Sequence, residues 1–224
     1  MWRYAPFPKF LADLDEHPAV DEILVIDNDV QANPIGNPNS LTKVRWLPQY
    51  ENIFVNRAWN LGVQEARNDH LCILNDDLIF DLRVFDRVKG YLNRVKTGVV
   101  GLAPGDHPIT KQPPLTNGLI DIIPWEGQHL WGFGMLMFVQ KHTWHPIPPM
   151  LNMYYGDNWI FDTQEHQGQC NYLITNILHK TPYSVTSSVF QERFEVIERD
   201  MYPKEIALWK AKHVYVSFEE ELHV

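Results

Sequence analysis

Two apolar runs that each break off into acidic residues constrain this chain more than any other feature. Glu22-Ile23-Leu24-Val25-Ile26 ends in Asp27-Asn28-Asp29, and Leu71-Cys72-Ile73-Leu74 ends in Asn75-Asp76-Asp77. The interior of a buried strand excludes charge, and ligands of open α/β sheets bind at the C-terminal edges of the strands. The runs read as two buried strands opening toward one polar crevice. Before, between and after them, apolar residues recur at three and four. Phe10, Leu11 and Leu14 mark a helix over Pro8 to Glu16, Ala58, Leu61, Val63 and Ala66 a helix over Asn56 to Arg67, and Val84 to Val95 the face of a helix over Leu82 to Val95. Further strands are expected at Val44 to Leu47 and Val99 to Leu102. This alternation predicts an α/β fold with a mostly parallel central sheet flanked by helices.

From Gly105 the texture changes to Pro-rich loops and short aromatic stretches, with β-hairpins or strands expected at Leu119 to Trp125 and Leu130 to Val139. Trp159 to Gln167 reads as a helix and Leu173 to Leu178 as a short strand. A Glu/Arg-rich helical stretch and a second amphipathic piece at Lys204 to Lys212 close the chain. With 224 residues and 45% hydrophobic content, the chain can bury a substantial core in one large domain or two intimate subdomains. A formal charge of -9 argues against a general polyanion-binding surface, which would need clustered Lys and Arg. Two cysteines outside any Cys-x-x-Cys pair argue against a disulfide framework or a zinc-thiolate site. No segment has the ~20 apolar residues of a transmembrane helix, and the N-terminus lacks signal-peptide form, so a cytoplasmic location is expected.

Asp76 and Asp77 are candidate metal or substrate ligands. A Mg²⁺ or Mn²⁺ that also binds a diphosphate needs only one or two protein carboxylates, because phosphate oxygens and water complete its shell. The competing reading is a pair of turn or helix caps before Leu82, and Asp27-Asn28-Asp29 is equally open to an Asx-turn. Arg67 at a helix end is either a C-terminal cap or a bidentate ligand for a base or phosphate.

The order of the pieces is more specific than any one of them. A strand ending in Asp27, then Asn60-x-Gly62 and Ala66-Arg67-Asn68, then Leu74-Asn75-Asp76-Asp77 resembles the family 2 glycosyltransferases of the GT-A (nucleotide-diphospho-sugar transferase) fold. Gly132-x-Gly134-Met135-Leu136-Met137-Phe138 looks like the family's strand beside the donor sugar, and Gly156-Asp157-Asn158 resembles its Glu-Asp-x element with Gly156 in place of Glu. The likeness runs over roughly residues 20 to 185. It departs at Asn75, the first acidic position of the Asp-x-Asp-like element. It also departs at the start, where Met1-Trp2-Arg3-Tyr4 looks like the residues just after the family's first strand.

The resemblance implies an inverting, metal-dependent transfer from a nucleoside-diphosphate sugar, a UDP-sugar favoured, to a hydroxyl of a glycan, a lipid-linked sugar or a hydroxymethylated DNA base. It assigns Asp157 as catalytic base and Asp77 with His179 as ligands of Mn²⁺ or Mg²⁺. Asp27, Asn60, Arg67, Asp76, Trp131 and Gly132 fall to the donor. The parts it implies are 1-104 for the nucleotide-sugar, 105-188 for the acceptor and catalysis within the same domain, and 189-224 as a helical extension. Small members of this kind resemble those of phage genomes, which keeps a DNA-base acceptor in view. A catalytically inactive sugar- or nucleotide-binding module and a nucleotidyltransferase are the alternatives, although no Gly-rich basic phosphate loop follows the first strand.

Overall fold

The computed structural model describes residues 7–28, 40–103, 119–127, 133–177, 179–180 and 194–213. Helix α1 (Phe7–Glu16) leads into strand β1 (Ile23–Asp27), which pairs in parallel with β2 (Val44–Pro48). Helix α2 (Phe54–Glu65) follows, then β3 (His70–Leu74), the short β4 (Ile79–Phe80), α3 (Val84–Leu92) and β5 (Thr97–Leu102). Next come β6 (Asp121–Pro124), β7 (Leu136–Gln140), α4 (Gly156–His166), β8 (Cys170–Thr175), β9 (His179–Lys180) and α5 (Val196–Lys212).

The main sheet has five strands in the order β3-β7-β5-β8-β6. It is mixed, which corrects the mostly parallel sheet expected from the alternation. β7 runs antiparallel between β3 and β5, β6 is antiparallel to β8, and only β5 and β8 are parallel. Leu136 to Val139 is buried throughout, and a strand covered on both faces shows the same apolar run whichever way it points. The two later strands, β6 and β7, do not pair with each other: β6 lies against β8, and β7 between β3 and β5. Strands from both sides of residue 105 interleave in this one sheet.

Helices cover both faces, and the pleat sorts neighbouring residues between them. On one face Leu136, Phe138, Val100 and Ile174 pack with Val84, Val88 and Leu92 of α3. On the other, Met137, Val99 and Leu173 pack with Trp159, Ile160 and Phe161 of α4 and with Tyr202 and Ile206 of α5. Each such large apolar side chain contributes about 1.5–3 kcal/mol on burial. A Cβ on Gly101 would come 2.8 Å from the Phe161 ring, so α4 lies tight against β5 only because that position is glycine. A third cluster joins Phe7 and Leu11 of α1 to Val25 and Val44 of the β1-β2 pair.

Helix α5 runs unbroken through Pro203, where two separate pieces were expected. An interior proline costs roughly 3 kcal/mol. Tyr202 and Ile206 are buried on either side of it, and the Tyr202 hydroxyl donates to buried Asp162 of α4 at 2.5 Å. That docking offsets the local penalty.

Candidate functional site

A cavity of about 1720 Å³ runs from the ends of β1 and β3 to the start of α4 and is flanked by α5. Asn28, Asn75, Asp76, Asp77, Gly134, Asp157 and Arg199 all line it. It therefore brings together the acidic end of β3 and the carboxylate at the start of α4, which lie 80 residues apart in the chain.

Asp77 is buried, whereas Asp76 is exposed. Desolvation by the cavity wall, and then the charge of Asp77, push the Asp76 carboxyl above the ordinary carboxylate range. Among the described residues no group of three His, Cys, Asp or Glu side chains forms a cluster able to hold a metal. The residues fit a different kind of site, in which two adjacent carboxylates share a hard cation with diphosphate oxygens and water. His179 does not join Asp76 and Asp77 in a three-ligand cluster. It lies on β9 opposite Phe80, with its Nδ1 3.2 Å from the carbonyl oxygen of Ile177.

Asp157 sits in the first turn of α4 and is not its cap. The cap is Tyr155, held in the left-handed region at φ 59° with no side-chain capping bond. A bulky residue rarely adopts that conformation, and it is sustained where the surroundings over-determine it. Here Tyr155 stacks on Tyr202 of α5 at 5.1 Å between ring centroids. The Asp157 carboxylate accepts hydrogen bonds from the Gly134 N–H at 3.2 Å and the Asn158 N–H at 2.9 Å. Gly134 is confined as well, since a Cβ there would approach the Trp59 ring to 2.6 Å.

Two residues that sequence reasoning passed over build the loop leading to Asp157. Glu198 of α5 is 1% exposed, and its carboxylate accepts hydrogen bonds from the backbone N–H groups of Asn152, Met153 and Tyr154 at 2.8 to 3.3 Å. Asn56 of α2 donates to the carbonyls of Leu151 and Tyr154 at 3.0 and 3.1 Å, and its own N–H donates to the Asn152 carbonyl. The Asn56 carboxamide fills the space beside Gly156, where a Cβ would fall 2.6 Å from its Cγ. This explains why glycine stands directly before Asp157. No motif marks Glu198; a surface glutamate on an amphipathic helix gives the same sequence signal.

The remaining sequence candidates are dispersed. Asp27 is 2% exposed at the end of β1 and accepts from the Trp46 indole N–H at 3.3 Å, while its neighbour Asn28 reaches the cavity wall. Asn60 is committed to the 144–147 segment: it donates to the Ile147 carbonyl at 2.8 Å and accepts from the Trp144 indole and the Ile147 N–H. Arg67 is solvent-exposed and tied to Glu22, its N–H donating to the Glu22 carboxylate at 3.0 Å. It borders a separate, smaller pocket of about 470 Å³. Trp131 and Gly132 lie outside the described residues, as does Asp29.

No family model matches the sequence, and no curated protein matches it. Among solved structures the chain is similar to GalNAc-T7, crystallised with UDP, GalNAc and Mn²⁺, at 12% identity and a TM-score of 0.53 over 79% of this chain and 38% of that one. It is also similar to residues 1–349 of TarS from S. aureus, at 9% identity and a TM-score of 0.48 over 78% of this chain and 53% of that one. The chain thus spans well under two thirds of either protein. The likeness to GalNAc-T7 is one of fold: an α/β architecture resembling the GT-A glycosyltransferases.

Proposed function

We propose that this protein is an inverting glycosyltransferase that uses a nucleoside-diphosphate sugar, with a UDP-sugar as the favoured donor. The observation that carries the proposal is the single cavity shared by Asp76 and Asp77 at the end of β3 and Asp157 at the start of α4. The fold shared with a protein that was crystallised with UDP, GalNAc and Mn²⁺ supports it. Asp77, aided by Asp76, would hold Mn²⁺ or Mg²⁺, which when bound supplies positive charge to the leaving diphosphate. Asp157 accepts the proton of the acceptor hydroxyl as that oxygen attacks the anomeric carbon. The Gly134 and Asn158 amides fix the direction of its carboxylate. Arg199, on the same wall, would add a cation for the diphosphate, and Asn28, next to buried Asp27, would receive the base or ribose. Asn60 and Arg67 act by positioning, the first through the 144–147 segment and the second through Glu22 beside β1.

The described wall carries the carboxylates of Asp21, Glu22, Asp69, Asp76, Asp77 and Asp157 against the cations Lys89 and Arg199. That excess of negative charge favours a saccharide hydroxyl over a DNA base as acceptor. A second reading, a sugar-nucleotide-binding module without turnover, draws on the packing of Gly156 against Asn56, which leaves no room for an acidic side chain before Asp157. One experiment separates the two: a panel of UDP-, GDP- and dTDP-sugars with Mn²⁺, followed by thermal shift and by nucleotide release. Transfer predicts both a rise in Tm and release with one donor class; a rise without release supports the binding module. No response to any donor would overturn both.

A further inference from the structure

The formal charge of -9 conceals one region of opposite sign. Of the chain's 19 Lys and Arg side chains, five stand between Arg83 and Lys96, with Asp86 as the one acid of that stretch. All five, Arg83, Arg87, Lys89, Arg94 and Lys96, are exposed. Helix α3 accounts for the pattern. Val84, Val88 and Leu92 bury its inner side on the main sheet, which turns the charged positions outward. Arg83, Arg87, Gly90 and Arg94 recur at intervals of four, three and four. They form one row on the helix, about 16 Å long.

The row is oriented by its neighbours without being neutralised. Among the described residues, Arg83 alone of the five is paired with a carboxylate, its Nε donating to Asp81 at 2.9 and 3.0 Å. Arg87 donates from Nε to the Ile120 carbonyl at 3.1 Å, and the Arg94 guanidinium lies 4.1 Å from the centre of the Tyr91 ring. A Cβ on Gly90 would meet nothing within 4 Å, so nothing overhangs the middle of the row. Two aliphatic side chains flank it. Val95, directly after Arg94, is 92% exposed, and Leu119, directly before the Ile120 that accepts from Arg87, is 63% exposed. The large cavity reaches α3 on its other flank, at Phe85, Val88, Lys89 and Leu92, and none of the three arginines of the row lines it.

We propose that the outer face of α3 is a docking surface for the anionic phospholipid headgroups of a bilayer, which the protein joins peripherally. Charge complementarity carries the inference. Guanidinium groups match phosphate oxygens bidentately, and clusters of about four to eight Lys or Arg on a helix suit an anionic leaflet. The flanking aliphatic side chains select the partner: Val95 and Leu119 gain burial at the headgroup and acyl boundary, whereas a phosphodiester backbone offers them nothing apolar. A nucleic acid would require an element free to enter a groove, or exposed aromatic rings for stacking. α3 is packed on the sheet along its length, and Tyr91 is half-buried with its hydroxyl donating to the Ile122 carbonyl at 3.3 Å. The proposal does not depend on the reaction assigned above.

The test measures co-sedimentation of the full chain with vesicles of phosphatidylcholine alone, or with about 30% phosphatidylglycerol, at low salt and at about 0.5 M NaCl. Retention is expected on the anionic vesicles only, and the higher salt should release the protein. Each arginine contributes roughly fivefold to partitioning, so replacing Arg83, Arg87 and Arg94 together by glutamine should weaken binding by on the order of 100-fold. The same three positions as lysine should keep most of it. Lys204, Lys210 and Lys212 of α5 replaced together by glutamine remove an equal charge and should leave binding unchanged. Val95→Asp alone should weaken it by about tenfold, which provides a reading even if the triple glutamine variant fails to fold. Absence of retention on anionic vesicles, equal retention on neutral ones, or an equal loss in the α5 variant would each overturn the proposal. Tighter binding of a duplex oligonucleotide than of the vesicles would assign the row to nucleic acid and overturn it as well.

Discussion

The buried carboxylate of Glu198 offers a sharp test of how the C-terminal helix supports the candidate site. It accepts four hydrogen bonds from three consecutive amides, Asn152 to Tyr154, in a position that is 1% exposed. A hydrogen bond to a charged group contributes roughly 1.5–3 kcal/mol, and each buried donor left without a partner costs about 1–3 kcal/mol. These contributions overlap, so Glu198→Ala is expected to lose about 3–5 kcal/mol of stability, comparable with breaking a buried ionic contact. Glu198→Gln keeps one acceptor oxygen but turns an NH₂ group toward the same amides, and should lose about half as much. Denaturant unfolding measures both variants. For a chain of this size the alanine variant should melt roughly 10 °C lower. Hydrogen exchange at residues 152 to 154 gives the local readout, and it should accelerate more than exchange in β8. A Glu198→Ala variant within 0.5 kcal/mol of the parent, with unchanged protection of those three amides, would refute this account of the loop.

Gly156→Ala should cost about 1–3 kcal/mol through the collision with Asn56, and Asn56→Ala in the same chain should recover part of that loss on unfolding curves. Asp157→Asn should lower the transfer rate by on the order of 10²–10⁴-fold while leaving the calorimetric affinity for the sugar nucleotide nearly intact. Near-normal turnover would remove Asp157 from the mechanism. Asp77→Ala should abolish the Mn²⁺-dependent part of UDP binding, seen by titration with and without the ion. Desolvation by the cavity wall raises the Asp76 pKa in the folded state, so the stability it contributes is fully present below its ordinary value of 3.8 and is lost as pH rises through the raised value. Asp76→Asn should accordingly melt above the parent at pH 7, with the difference shrinking as pH falls toward 3.8.

Where burial and period carried the information, the sequence was a good guide. The runs ending in Asp27 and Leu74 are strands to within a residue, and helices α1 to α4 begin and end within three residues of the apolar spacing. Strand direction had no such signal, because β7 shows the same unbroken apolar run in either orientation. The second piece expected from Lys204 is continuous with the helix before Pro203, and the docking of Tyr202 and Ile206 carries α5 through the proline. In the candidate site, Asp76 and Asp77 stood out because charge is unexpected after a buried run, and Asp157 through the family-like element Gly156-Asp157-Asn158. Glu198 and Asn56 did not, since their roles depend on backbone amides and carbonyls of a loop distant in sequence. Asn60 shows the converse: it is part of a recognisable pattern, yet its amide is spent on the 144–147 segment.

The insertion of β7 between β3 and β5 also sets an order of events during synthesis. Leu74 pairs with Leu136 and His70 with Gln140, so each partner is made 62 to 70 residues later. At roughly 5–20 residues per second the ribosome needs about 3–14 s to supply it. Throughout that interval the strand bearing Asp76 and Asp77 has no neighbour on that edge, and its apolar residues are open to non-native association. Folding of the nascent chain should therefore slow at this long-range closure, and chaperone binding should concentrate on chains stalled between residues 75 and 135.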